Sequence, residues 1–282
     1  MRRSAACLQY NESGSSDFLP SCRAPGAGPA QAAAGDKLEK IMKPVAIFRH
    51  SPTEGPGHFA TYLDGAGIPW QLIRLDTGEA VPADPAAWAG LCFMGGPMSV
   101  NDDLPWIAPV LALIREAVRL DVPVIGHCLG GQLMSRALGG SVGRNPVKEI
   151  GWGDIQVADV PEARHWLGDV GGFESFHWHG ETFSIPPGAT RIAGNAHCAN
   201  QMFVMGPHLG MQCHVEITPE MIRTWCRDWD KERVGEPPER IGGGSMQPAQ
   251  VMQVDMERRC DALHSVAARL YRRWSERLSG EK

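Results

Sequence analysis

P-V-I-G-H-C-L-G-G-Q-L-M-S-R-A-L-G-G, residues 123–140, passes from a buried-strand pattern directly into a short helical one, with Cys128 at the junction. A chain that leaves a strand and enters a helix within one residue forces that residue into a strained conformation, and Gly126 and Gly130, two positions to either side, leave room for it. The Cys128 side chain is therefore expected to project into a cleft. At a helix N-terminus it faces unpaired N–H groups and the positive end of the dipole, which favour the thiolate needed for nucleophilic attack. A buried structural cysteine in a Gly-bounded turn is the competing reading.

Working outward, short apolar runs alternate with helical stretches. V-A-I-F (45–48) is followed by a helix near 58–64, then Q-L-I-R-L (71–75), L-C-F-M (91–94), a helix over about 108–120, and V-P-V-I-G (122–126). This alternation predicts βαβ units in a three-layer α/β fold, a largely parallel central sheet with helices on both faces. Sites in such sheets lie at the carboxyl ends of the strands, which selects the loops after Phe48, Met94 and Gly126. Beyond Gly140, G-D-I-Q-V, F-H-W-H, T-R-I-A-G-N, Q-M-F-V-M and L-G-M-Q-C-H read as antiparallel additions. A closing helix is expected over about 254–278, where Met256, Cys260, Leu263, Val266, Leu270 and Trp274 recur every three or four residues. Residues 1–42 show neither period and are expected to be a disordered extension, leaving 43–282 as one domain.

Composition narrows the function. The 282 residues are 43% hydrophobic and 21% charged, with a net charge of −5, so no basic surplus exists to neutralise nucleic-acid phosphates. Every apolar run is interrupted well short of the roughly 20 residues that span a bilayer, which points to a soluble protein. The eight cysteines include no C-x-x-C pair. Cys92, Cys128, Cys198 and Cys213 lie in or beside apolar runs, and reduced thiols in a cytoplasmic protein are expected.

A cysteine nucleophile needs a base, and L-G-M-Q-C-H-V-E-I-T-P-E (209–220) offers one. It reads as a strand ending in His214, with Glu216 two residues on and therefore on the same side, where its carboxylate can hold the imidazole. Glu181 and Glu220 are the other carboxylates that could take that role. In F-M-G-G-P-M-S-V (93–100), a Gly-Gly-Pro turn presents N–H groups with no side chain in the way, as an oxyanion requires. His177 and His179 share one side of F-H-W-H-G-E and could suggest zinc with Cys198 or Cys213. No fourth ligand stands at a standard spacing, so no metal site is expected.

The string G-H-C-L-G-G-Q (126–132), followed in chain order by His214 and Glu216, resembles the nucleophile elbow and triad of class I (triad-type) glutamine amidotransferases, the group that includes the glutaminase domain of GMP synthetase. The likeness extends over residues 43 to about 225, with Val215 standing where the family's H-P-E motif has proline. It implies that Cys128 attacks a γ-glutamyl carboxamide, that His214 transfers the proton, and that Glu216 orients the ring. The N–H groups of Gly96 and Leu129 would form the oxyanion hole, and Gln132 and His179 would border the glutamine. No metal or organic cofactor is implied. With 43–282 taken up by this domain, an ammonia acceptor would belong to a separate synthetase subunit. Three alternatives remain: a γ-glutamyl-amine hydrolase with the same triad, a redox sensor of the same superfamily, and a regulatory binding module. Redox sensors place a histidine directly after the cysteine, whereas Leu129 follows Cys128 here.

Overall fold

In the computed structural model, which describes residues 42–232 and 245–278, nine strands form one sheet. They are β1 (Val45–Arg49), β2 (Trp70–Arg74), β3 (Gly90–Phe93), β4 (Val124–His127), β5 (Val142–Val157), β6 (Gly172–Phe183), β7 (Thr190–Gly194), β8 (Met202–Met205) and β9 (His208–Met211). Their spatial order is β2-β1-β3-β4-β9-β8-β7-β5-β6. The first five in that order pair in parallel and the remainder antiparallel, so the sheet has the expected parallel half and antiparallel extension. The extension expected at residues 1–42 falls, except for Met42, outside the described residues.

Strand alternation sends successive side chains to two cores. Val45, Ile47, Cys92, Met94 and Ile125 enter one, whereas Ala46, Phe48, Leu91, Phe93 and Val124 enter the other. The first core is covered by α1 (Gly57–Gly65), α4 (Pro161–Leu167), α5 (Pro219–Glu232), α6 (Ala249–Met252) and α7 (Met256–Ser275). The second is covered by α2 (Ile107–Arg119) and α3 (Leu129–Ala137). Three layers result. No described helix is long and apolar enough to cross a membrane.

The structure corrects two local readings, whereas the helix expected over 254–278 is α7, set off from the preceding α6 by Asp255 at a left-handed φ of 51°. Leu278 lies beyond α7 yet is buried beside Gly90. Residues 209–214 are not one strand: β9 ends at Met211, and His214 makes an isolated bridge to Phe176, its N–H donating to the Phe176 carbonyl at 2.8 Å. The helices α4 and α5 had no counterpart in the expected elements. In α5 the helical signal was nevertheless present, since Ile222, Trp225, Cys226 and Trp229 are buried at helical spacing and Thr218 Oγ1 accepts from the Met221 N–H at 3.3 Å.

His50, His177 and His208 are buried, and burial lowers each ring to about 4. His208 Nδ1 accepts the Val124 N–H at 3.2 Å, a bond only the neutral ring can make. Their folded values lie below the unfolded value of about 6.5, so the unfolded chain binds more protons between those limits. Their contribution to stability is complete above pH 6.5 and is lost as the pH falls toward 4; it amounts to on the order of several kcal/mol in total. Urea unfolding from pH 7.5 to 4 should show this decline, and His208→Asn, whose amide oxygen can replace Nδ1, should remove one share of it. An unchanged slope in His208→Asn would show that the ring does not supply that share.

Candidate active site

The backbone at Cys128 has φ 50° and ψ −105°, outside the left-handed helical well that Asp255 occupies with similar φ. Such a conformation costs on the order of 1–3 kcal/mol and persists only where its surroundings enforce it. The enforcing contacts are close backbone crossings. A Cβ on Gly126 would lie 2.4 Å from the Gly130 carbonyl carbon, one on Gly130 would lie 2.0 Å from the Phe93 oxygen, and one on Gly131 would lie 2.3 Å from the Met211 oxygen. Helix α3 is thus seated directly on β3, β4 and β9. The Cys128 side chain lines a cleft of about 630 Å³.

All three loops selected by the topology reach this cleft: Thr53 and Glu54 after β1, Gly96 to Ser99 after β3, and Cys128 after β4. His214 arrives from beyond β9. Its Nδ1 lies 2.7 Å from Glu216 Oε1, so the i, i+2 pairing forms without regular strand geometry. Burial acts to lower the His214 ring, but Glu216 and Cys128 outweigh it and hold the ring well above its ordinary value. Burial acts to raise the Glu216 carboxyl, and His127 with His214 more than offsets it, so that carboxyl is held low. Both directions correspond to a charged imidazolium–carboxylate pair. Glu216 Oε2 lies 4.0 Å from His127 Nε2, which is itself 3.2 Å from the Tyr271 hydroxyl of α7. Glu181 instead accepts from Ser99 Oγ at 2.8 Å, and Glu220 is exposed, so neither orients His214.

Gly96 and Leu129 come together beside the elbow. A Cβ on Gly96 would lie 2.7 Å from Leu129 Cδ2, so the Gly96 backbone packs directly against the Leu129 side chain. Gln132 is not on the helix surface but buried, donating to Gln212 Oε1 at 3.1 Å. Gln212 in turn donates to Cys128 Sγ at 3.6 Å. Gln212 was missed, although it stands two residues before His214 in the same alternation that singled out Glu216.

His179 lines the cleft, with its Nε2 3.0 Å from Glu149 Oε2 and its Nδ1 3.0 Å from the Glu181 carbonyl. Glu149 was also missed. It lies opposite His179 in the β5–β6 register, just past a shift between Arg144 and Glu149 that local sequence does not announce. Glu149, His177 and His179 place ligand atoms within 4.8 Å of one another, so Glu149, rather than Cys198 or Cys213, completes the cluster with the two histidines. Glu149 already accepts from Asn195 at 2.7 Å and Gln201 at 2.8 Å, and His177 faces the Gly153 carbonyl. These bonds occupy the cluster as a hydrogen-bonded support for His179. A third acid, Glu54, keeps part of its surface open to the cleft, yet burial raises its carboxyl to about 7, with His214 opposing and Glu216 adding to the rise.

The family model "Glutamine amidotransferase class-I" matches residues 60–224, and the chain belongs to that family. It is 30% identical over 180 residues to the glutamine amidotransferase-like protein YfeJ of Salmonella typhimurium, covering 61% of this chain and 75% of that one. Over 172 residues it is 27% identical to gamma-glutamyl peptidase 3 of Arabidopsis thaliana, covering 58% and 69%. A GMP synthase of Aromatoleum aromaticum is 32% identical over 139 residues, 46% of this chain but about a quarter, 26%, of that enzyme. Among solved structures, a glutamine amidotransferase from Methylobacillus flagellatus superposes with a TM-score of 0.80 at 45% identity, covering 84% of this chain and 95% of that one.

The contact between Gly130 and Phe93 generates a stability prediction. Gly130→Ala must separate α3 from β3 and should destabilise the fold by about 1–3 kcal/mol, whereas Gly143→Ala, with nothing within 4 Å, should be close to neutral. Denaturant midpoints of the two variants check this, and equal midpoints would contradict the close crossing.

Proposed function

We propose that this chain hydrolyses the carboxamide of a γ-glutamyl compound through a thioester on Cys128. The observation that carries the reading is the convergence, in one cleft, of a cysteine held in a strained elbow with an imidazole that is charge-coupled to it and hydrogen-bonded to Glu216 at 2.7 Å. Cys128 Sγ attacks the carbonyl carbon, and the oxyanion is received by the N–H groups of Gly96 and Leu129. His214 then gives a proton to the departing nitrogen as the C–N bond breaks. Water, deprotonated by His214, attacks the thioester; the S–C bond breaks and glutamate leaves. Glu216, supported by His127, keeps the ring in register. Gln132 and His179 hold the glutamyl portion, and no resident metal or organic cofactor enters these steps.

Family membership and the relatives' names support the class of reaction and leave the leaving group open. If the nitrogen released is ammonia destined for transfer, a separate synthetase subunit would receive it; if it is an amine, the chain is a γ-glutamyl amide hydrolase. The redox-sensor reading is the weaker one, because Gln212 and the His214–Glu216 pair are all arranged about the thiol.

Burial pushes up the thiols of Cys92, Cys198 and Cys213, with Cys213 among the most strongly raised. A glutamine-mimicking electrophile should therefore label Cys128 alone, as read by peptide mass mapping. Cys128→Ala should lower glutamine hydrolysis by at least about a thousandfold. Label on Cys213 or Cys198 would overturn the assignment. Glu216→Gln should keep the fold and lower kcat, by up to about 10⁴-fold but by less than His214→Ala, because the amide still bonds the ring but stabilises imidazolium less. Unchanged turnover in Glu216→Gln would remove Glu216 from the mechanism.

A further inference from the structure

The cleft extends past the triad on the side of His214, where the departing nitrogen must lie. One wall there is aromatic. Trp225 meets the His214 ring edge-on at 5.0 Å, Trp178 meets Trp225 at 5.5 Å, and Trp229 meets Trp178 at 5.3 Å, all three contacts close to perpendicular. All three indoles line the cleft. Glu54 also lines it and borders the same ring: the point a Cβ on Gly95 would occupy is 2.0 Å from Glu54 Oε2 and 3.2 Å from His214 Cε1. Trp225 Nε1 donates to the Thr53 carbonyl at 3.0 Å, which fixes the loop carrying Glu54 against the wall. Among the described residues, no hydrogen-bond or salt-bridge partner is formed for the Glu54 carboxylate, although burial has already raised it toward neutrality.

A carboxylate without a partner beside indole rings is a receptor for an organic cation: the acid supplies the counter-charge, and the ring faces attract a cation electrostatically. We propose that Glu54, Trp178, Trp225 and Trp229 form a leaving-group subsite for a cationic amine, so that the favoured substrates are γ-glutamyl amides of amines bearing a second, positively charged nitrogen. This rests on the amide-hydrolase reading given above and specifies its substrate class. The reaction is that same hydrolysis: the amide C–N bond breaks, His214 protonates the released nitrogen, water adds to the thioester, and glutamate and a diamine are the products. The distal ammonium stays protonated throughout, and its charge favours the ionised form of Glu54, which holds it. An anionic tail would face the same carboxylate and be repelled, which separates this class from γ-glutamyl peptides.

The test uses three amides of matched length, γ-glutamyl-1,4-diaminobutane, γ-glutamylbutylamine and γ-glutamyl-4-aminobutanoate, titrated calorimetrically into the full chain carrying Cys128→Ala. The cationic amide should bind at least about tenfold more tightly than the neutral one, the anionic amide most weakly, and adding Glu54→Gln should bring the cationic-to-neutral ratio near one. Equal affinities for cationic and neutral amides, a ratio that survives Glu54→Gln, or no binding of any of the three would overturn the inference. The comparison among ligands needs no change at Glu54, so a folding defect in Glu54→Gln leaves it decisive. Turnover is read separately on the unsubstituted chain: failure to hydrolyse glutamine and all three amides would sink the amidase reading itself, whereas hydrolysis without a cationic preference would sink only the subsite.

Discussion

The positive φ at Cys128 is the constraint around which the site is organised. It can be held only because α3 rests on the backbones of β3, β4 and β9 with no side chains between, which is what Gly126, Gly130 and Gly131 provide. The same crossings set the distances between the functional groups. Contact with the Phe93 carbonyl places the Gly95-Gly96 turn beside Leu129, and contact with the Met211 carbonyl places the chain that continues to Gln212 and His214. Moving α3 outward by a methyl group would therefore disturb Cys128, the Gly96–Leu129 edge and His214 together.

Around this centre, support comes from distant parts of the chain. Helix α7 reaches this centre through Tyr271, which bonds His127, the residue next to Cys128 and within 4.0 Å of Glu216. On the opposite side, Asn195 and Gln201 hold Glu149, and Glu149 holds His179. The rings at the centre are thus fixed by second partners, which is what keeps a buried charge pair in one geometry and one protonation state.

Much of this was legible from sequence where a local rule applied. Alternating apolar runs gave the parallel half of the sheet, and the Gly-x-Cys-x-Gly stretch with the i, i+2 acid singled out Cys128, His214 and Glu216, which the fold brings together. Gln212 obeys the same alternation and was passed over because an amide carries no titratable signal. Glu149 depends on a register shift inside a long antiparallel pair, and Glu54 sits in a loop without periodicity. Trp178, Trp225 and Trp229 come from two elements distant in the chain and meet only through packing. Such residues are defined by tertiary contact, and no local pattern carries them. Helix α5, by contrast, had an ordinary spacing signal, and its omission reflects its charged exterior.

The order of the strands also bears on when the site comes into being. β4 leads into Cys128 and pairs with β9, which leads to His214, yet the two are joined through the whole antiparallel half of the sheet; Gln212 and Cys128, in contact, are 84 residues apart in the chain. Local contacts can build the β1–β4 half and its elbow early, whereas the closing pair must overcome the entropy of a long loop. A nascent or half-folded chain therefore has the Cys128 thiol in place without the His214 ring. The two meet only with the last parallel strand, so the completed sheet is itself the condition for the Cys128–His214 arrangement.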